Sequence, residues 1–307
     1  MDWPSLPYPS IHNVKASTQY KREHKPDYGR EKIEILYEDK DIVVIEKPSG
    51  MLSVPYPGSK ARTALEVLEK IMRGKGTLSS SHKPLIVHRL DRDTSGVMMF
   101  ALNEAAQKKI IANWHTMVTE RIYHAVAENP RNRNKILPDS GLIDDELAQN
   151  AYHVGYVPKK GDSKVETVKA RTNYKVVLRG KTHTLFELSL DTGKKNQIRA
   201  HLSSKGYPLA GDENYRAHTD PFHRLALHAR TLEFNHPTTG EHLKFEVPEP
   251  EEWIKYVEKG DLNPRPPIWM KKTNPANSKA PSEIKLKLTK KKTSHMDFIA
   301  RGKALRG

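Results

Sequence analysis

A densely charged stretch of nine residues, set between two apolar runs, limits the folds open to this chain more than any other part of it. LIVHRL leads into DRDTSG, and VMMFAL follows. The apolar runs predict strands, and the polar residues between them predict a loop that the strands hold in place. His88-Arg89-Leu90-Asp91-Arg92-Asp93-Thr94-Ser95-Gly96 gathers two carboxylates, two guanidinium groups, an imidazole and two hydroxyls. Loops carried on rigid strands are where binding and catalytic groups concentrate. The plainer alternative is a solvated turn laced with ion pairs, and composition does not separate the two.

The flanking sequence supplies a frame for that loop. IEILYED (33 to 39) and DIVVIEK (41 to 47) are β-rich runs joined by a tight polar turn, and KPSGMLSVPYPG (47 to 58) is a loop. Thr63 to Arg73 is helical, with Ala64, Leu65, Leu68, Ile71 and Met72 on one face and Gly74 ending it. Asn103 is placed to cap a helix running through Trp114. Thr119 to Glu128 is a strand, 130 to 168 a polar insertion, and VETVKART, NYKVVLR and THTLFELSL an antiparallel series. A helix from about Lys195 to Lys205 interrupts the strands. A hairpin with a Thr-Thr-Gly turn and the helix EEWIKYVEK close the ordered part. Many strands and few helices predict an α+β fold.

Composition narrows the function classes. Without a single cysteine, thiol nucleophiles, Cys-based zinc sites, iron–sulfur clusters and disulfides are excluded. No run approaches the 18 or so apolar residues of a membrane span, and MDWPSLPYPS has neither a basic nor an apolar leader region. A cytoplasmic protein with no membrane partner is expected. Neither G-x-G-x-x-G nor G-x-x-x-x-G-K-[ST] occurs, which removes the usual support for nucleotide-cofactor folds. The formal charge is +15, and residues 271 to 307 hold most of it, with eleven Lys and Arg against Glu283 and Asp297. Such a tail serves either solubility or a grip on nucleic acid.

Three sharper readings compete for the charged loop. Asp93-Thr94-Ser95-Gly96 faintly resembles an aspartic-protease D-[TS]-G, but it has an extra residue and no second copy to share a proton. A metal-dependent nuclease could use Asp91 and Asp93 with His88, yet no obvious third carboxylate accompanies them. The third is a lone nucleophilic carboxylate, Asp91, kept ionised and aimed by nearby arginine. The histidines at 201, 218, 223, 228, 236 and 242 have no i, i+4 pair and no H-E-x-x-H, so they read as structural or RNA-facing.

HRLDRDTSGVMMFA resembles the H-R-L-D-x-x-T-S-G signature of the RluA-type family of RNA pseudouridine synthases, and the likeness recurs in order along the chain. EKPSGMLSVP resembles the family's K-P-x-G loop, and RIYHAVAE its K-x-Y-x-A strand. TGKKNQIRAHLSSKGYPLAGDENY resembles its T-G-R-x-H-Q-I-R-x-H-L…G-x-P-x-x-G-D-x-x-Y block, and RLALHARTLEFNHPTTGE its closing R-L-x-L-H-A segment. The likeness covers about residues 33 to 258. It departs at Lys194-Lys195-Asn196, where R-T-H is common, and at Arg121, where Lys is usual. The Asn for His change bears on a binding detail.

The resemblance implies isomerisation of uridine in RNA to pseudouridine, with RNA (rRNA or tRNA) as partner and no metal or small-molecule cofactor. It implies Asp91, Tyr123 and Arg199 as catalytic residues: Asp91 as the carboxylate, Arg199 as its ion-pair partner, and Tyr123 as the ring that stacks on uracil. Arg89, His88, Asn196, Gln197 and Leu227 follow as substrate-binding residues. Arg89 matches the arginine that in some relatives replaces the extruded nucleotide. Leu225 and Leu227 both suit the family's apolar pocket position, and core packing explains both. The implied architecture is a pseudouridine-synthase-like, α+β catalytic domain over 33 to 260, with a mixed, mostly antiparallel sheet flanked by helices and loops. An extended arm (1 to 32) precedes it, a basic tail (261 to 307) follows it, and the chain is expected to be a monomer. A non-catalytic RNA-binding protein on the same scaffold is the rival, although pure binding requires none of Asp91, Tyr123 and Arg199.

Overall fold

The computed structural model describes residues 33–262 apart from 57, 152, 153, 160 and 162–164. The expected arm and all of the basic tail past residue 262 lie outside the described residues.

The strands are β1 (Glu34–Glu38), β2 (Ile42–Lys47), β3 (Leu85–Ile86), β4 (Ser95–Ala101), β5 (Val118–Glu128), β6 (Ser140–Ile143), β7 (Ala148–Gln149), β8 (Gly155–Tyr156), β9 (Thr172–Arg179), β10 (His183–Leu190), β11 (Leu227–Asn235) and β12 (His242–Glu246). The α-helices are α1 (Ala64–Lys75), α2 (Glu104–Ala112), α3 (Trp114–Met117), α4 (Gln197–Ser204) and α5 (Glu251–Lys259). Ten strands form one sheet in the order β1-β2-β4-β11-β5-β10-β9-β6, with β12 joined to β11 and β3 to β4. Within that sheet the β4–β11 pair is parallel, with His228 opposite Ser95, and the other pairings are antiparallel. The mixed, mostly antiparallel α+β fold is therefore present.

Four local expectations need correction. Gly74 stays inside α1, because nothing there demands a positive φ; Gly76, with φ of 72°, makes the left-handed turn that ends the helix. Only Leu85 and Ile86 of LIVHRL pair as a strand. Beyond them the His88 imidazole accepts the Met99 N–H at 3.0 Å, so a side chain replaces the ladder. The insertion is not simply polar loop: Ser140–Ile143 adds a strand to the main sheet beside β9, and β7 and β8 form a separate two-stranded ribbon. Conversely, VETVKART makes only a bridge from Val168 to Leu147 before β9 begins at Thr172.

Both faces of the sheet are covered, which accounts for the unbroken apolar run in β4. Val43, Ile45, Met98 and Phe100 pack with Leu68 and Met72 of α1, whereas Ile42, Val44, Val97, Met99 and Ala101 pack with Ala106 and Ile110 of α2. Successive strand residues point to opposite faces, so all seven residues of β4 are buried. The same division recurs further along the sheet. Ala125, Phe186 and Leu188 join Ile198 and Leu202 of α4, while Val126 and Leu185 join Trp253 and Val257 of α5. Tyr123 packs against both the α1 cluster and the α4 cluster, so it stands at the seam between the two. The parallel β4–β11 pair borders that seam.

Candidate active site

Two loops build the floor of the seam, and each is tied down by backbone acceptors. The Lys47 side chain is fully buried, and its ammonium donates to the carbonyls of Pro48, Met51 and Arg92 at 2.9, 2.7 and 3.0 Å. Ser49 donates to the Asp93 carbonyl, Ser53 donates to the Leu90 carbonyl and accepts the Leu90 N–H, and Arg92 donates through Nε to the Gly50 carbonyl. A buried cation needs compensating acceptors, and here those acceptors are the two loops being joined. KPSGMLS thus holds both sides of Asp91, whose own carbonyl accepts the Thr94 N–H at 3.1 Å. The sequence reading placed no function on Lys47 or Ser53, although the K-P-x-G block that contains Lys47 was visible.

Asp91 leaves this turn with its side chain 27% exposed. Asn196 Nδ2 donates to Asp91 Oδ2 at 2.8 Å. Asn196 has φ of 56°, a left-handed conformation that Asn tolerates better than most residues, and it directly precedes α4. The ribbon β7–β8 presses on this turn, since a Cβ on Gly155 would lie 2.6 Å from the Lys195 carbonyl oxygen. Asn196, expected to bind substrate, donates to the candidate carboxylate.

Arg199 reaches the same oxygen, but more loosely than expected. Its Nη1 lies 4.0 Å from Asp91 Oδ2, at the outer limit of an ion pair. The close partner is Asp212, which accepts from Nε at 2.7 Å and from Nη2 at 2.8 Å. The Tyr215 ring faces the guanidinium with Cζ 5.1 Å from its centroid. Burial opposes the charge on Arg199, yet the attraction and hydrogen bonds of Asp212, with a smaller part from Asp91, raise its pKa above the ordinary arginine value. The expected simple Asp91–Arg199 pair is thus a three-residue array. Asp212 was missed, although the G-D-x-x-Y block that carries it was quoted.

Tyr123 lies close enough to Asp91 for the carboxylate to act on its phenol. Burial raises the phenol's pKa, Arg121 works against this, and Asp91 adds to it. Arg121, which stands where lysine is usual, donates to the Leu190 carbonyl at 2.7 Å and lies 6.0 Å from the Trp114 ring centroid. Arg89 is exposed. Leu225 and Leu227 are both buried in the α4 cluster that Tyr123 joins, so packing does not distinguish them.

Two of the expected substrate contacts are engaged in holding the fold. Gln197 is buried, accepts from Thr192 Oγ1 and the Lys194 N–H, and donates to the Arg171 carbonyl and Thr172 Oγ1 at 2.7 to 3.0 Å. Those four bonds exhaust the capacity of a side-chain amide. The His88 ring receives the Met99 N–H and lies 5.0 Å from the Trp114 ring. Burial, helped by Arg121, pushes its pKa down to about 3, so the ring stays neutral. Most of the histidines once considered for metal binding also have local partners. His201 bonds to Thr172 and the Asp145 carbonyl, His228 to Ser95 and the Val247 carbonyl, and His236 to the Thr238 and Thr239 N–H groups.

What the seam presents is one half-buried carboxylate, a neutral phenol and an arginine with one terminal nitrogen left toward that carboxylate. Residues 41–204 match the RNA pseudouridylate synthase family. The chain is 35% identical over 227 residues to an uncharacterized RNA pseudouridine synthase of Bacillus subtilis, covering 74% of this chain and 72% of that protein. It is 34% identical over 236 residues to ribosomal large subunit pseudouridine synthase D of Pseudomonas aeruginosa, covering 72% and 70% of the two chains. In fold it is similar to the human protein RNA pseudouridylate synthase domain containing 4, with a TM-score of 0.58 at 23% identity over 72% of this chain and 90% of that one. The human RNA pseudouridylate synthase domain containing 1 protein gives 0.56 at 23% identity, over 74% and 86%. The ordered motif blocks, the sheet on which they converge and these relatives agree: the chain belongs to the RluA-type family of RNA pseudouridine synthases, isomerases that act on RNA.

Proposed function

We propose that the chain converts particular uridines of structured ribosomal or transfer RNA to pseudouridine, with the Asp91 carboxylate as the group on which the reaction turns. One observation carries this reading: Asn196 and Arg199 both approach Asp91 Oδ2, while no hydrogen bond or ion pair within the described protein engages Oδ1. A carboxylate held by one oxygen presents the other to a substrate at the seam. In the isomerisation the N1–C1′ bond breaks, the uracil turns, C5 bonds to C1′, the proton leaves C5, and N1 gains one. Atoms balance within the nucleotide, so no co-reactant is consumed. Attack by Asp91 on the sugar and attack on the base both require its anion.

Tyr123 suits a supporting part. Its raised pKa keeps it a neutral phenol near pH 7, able to stack on uracil and to donate a hydrogen bond, rather than a standing phenolate base. Arg89, exposed and two residues before Asp91, suits entry into the space that a flipped nucleotide leaves. The net charge of +15 favours a polyanionic partner. Relatives named ribosomal large subunit pseudouridine synthase D favour ribosomal over transfer RNA. Among the described residues no helix is long and apolar enough to cross a membrane.

The test is Asp91→Asn, which keeps the shape and removes the charge. Pseudouridine formation should fall below about 1% of wild type while RNA affinity and the fold persist; higher residual activity overturns the assignment. Wild-type turnover should survive excess EDTA and leave RNA length unchanged, whereas metal-dependent strand cleavage would mean a nuclease. Mapping pseudouridine in total RNA with and without the protein decides between ribosomal and transfer RNA.

A further inference from the structure

We infer that Asp212 is a positioning residue of the reaction, acting through Arg199 to decide which oxygen of Asp91 meets the substrate; this rests on the reading of Asp91 as the essential carboxylate. A free guanidinium beside a carboxylate tends to form a two-pronged pair that occupies both oxygens. Here that outcome is blocked. Asp212 takes Nε and Nη2, and only Nη1 is left to face Asp91, 4.0 Å from Oδ2. The Tyr215 ring covers one face of the guanidinium, and the Tyr215 hydroxyl donates to the Gly155 carbonyl, which fixes that ring in turn.

Asp212 is itself held rigidly. Its side chain is 1% exposed, its N–H donates to the Leu209 carbonyl at 3.0 Å, and its carbonyl accepts the Ala217 N–H at 3.0 Å. Gly211 before it has φ of 78°, and a Cβ there would lie 2.0 Å from the Arg224 carbonyl oxygen, so only glycine lets the chain pass. Asp212 therefore serves as an anvil: it consumes two of the three nitrogens of Arg199 and aims the third. The array of Asp212, Arg199 and Asp91 holds two negative charges and one positive. Because Asp212 is already bidentate with Arg199, the excess anionic character falls on Asp91, at its open oxygen. A purely structural ion pair joining the 209–217 segment to α4 would use the same two hydrogen bonds without affecting Oδ1.

A double-mutant cycle separates these roles. Asp212→Asn, Arg199→Lys and the double variant are compared by single-turnover rate at saturating enzyme on an RNA with one target uridine, alongside RNA affinity. Asp212→Asn should slow the step at least about tenfold through a misaimed guanidinium. RNA affinity should stay within about twofold, because the interaction matters in the transition state and not in binding. The double variant should be no slower than the slower single one, since both changes act through one side chain. A folded Asp212→Asn with the wild-type rate, or a double variant whose loss is the product of the two single losses, overturns the inference. If Asp212→Asn does not fold, Asp212→Glu replaces it: the charge is kept on a longer arm, rate loss with intact affinity is expected, and wild-type turnover overturns the inference. Asp91→Asn is run in parallel. An active Asp91→Asn sinks the reading of Asp91 itself, whereas an inactive one beside fully active Asp212 variants sinks only the role of Asp212.

Discussion

Gly96 ends the charged loop and is the second residue of β4, with φ of 114°, and a Cβ there would stand 2.1 Å from the Ala229 carbonyl oxygen. The close approach is what lets β4 and β11 run parallel at the seam. Gly96→Ala faces both a disfavoured backbone and a backbone clash, so it should lose about 3 kcal/mol or more of stability. A urea midpoint unchanged from wild type would contradict this. Residue identity matters as much in the neighbouring turn. Asn196 at φ of 56° can place an amide on Asp91 with less strain than most side chains would incur. Gln197, one position later, points inward, and all four of its hydrogen bonds are satisfied by protein. In the motif the two look alike; the turn between them separates their roles.

Among the elements, α1 shows how a local signal becomes a support for the site. Thr63 accepts the Glu66 N–H at 3.2 Å while Glu66 accepts the Thr63 N–H at 2.9 Å, a reciprocal cap at the helix start. Leu68 and Met72 then lie under Val43, Ile45, Met98 and Phe100, the strands that carry the Lys47 and Asp91 loops. Thr63→Ala should cost about 1 kcal/mol, seen as a lower denaturant midpoint with an unchanged slope. A changed slope would mean that the variant alters more than the cap. The stripe of α1 was legible because it repeats every three to four residues. Its end was not, since Gly74 and Gly76 differ only in which one the chain needs at positive φ.

For the whole molecule, burial of neutral histidines sets the response to acid. Burial pushes His88 down to about 3, helped by Arg121, and pushes His183 and His228 down to about 4. An unfolded histidine titrates near about 6.5, so below that pH the unfolded chain binds protons that the native state refuses. Stability is therefore full above about pH 6.5 and is lost progressively as pH falls toward about 4. Glu46, Glu120 and Glu128, all raised by burial, work in the opposite direction and offset part of this loss. Calorimetry across this range should show Tm falling with pH. A constant Tm between about pH 7 and 4.5 would contradict the buried neutral state of these rings.

Much of this protein could be read from residue order alone. The strand–loop–strand around Asp91, the α1 stripe, the Asn103 cap and the family motifs are local patterns, because periodicity, capping and loop composition act over a few residues. The contacts that make the site were not local. Asn196 meets Asp91 across 105 positions, and Lys47 ties its own loop to Arg92 across 45. That Arg199 turns chiefly to Asp212 rather than to Asp91 depends on the path of Gly211 beneath Arg224, and that Tyr123 joins two cores depends on the order of strands in the sheet. Motifs name the chemical groups within a segment. Which groups face one another, and which nitrogen or oxygen is left free, is decided only when the sheet brings distant segments to the same seam.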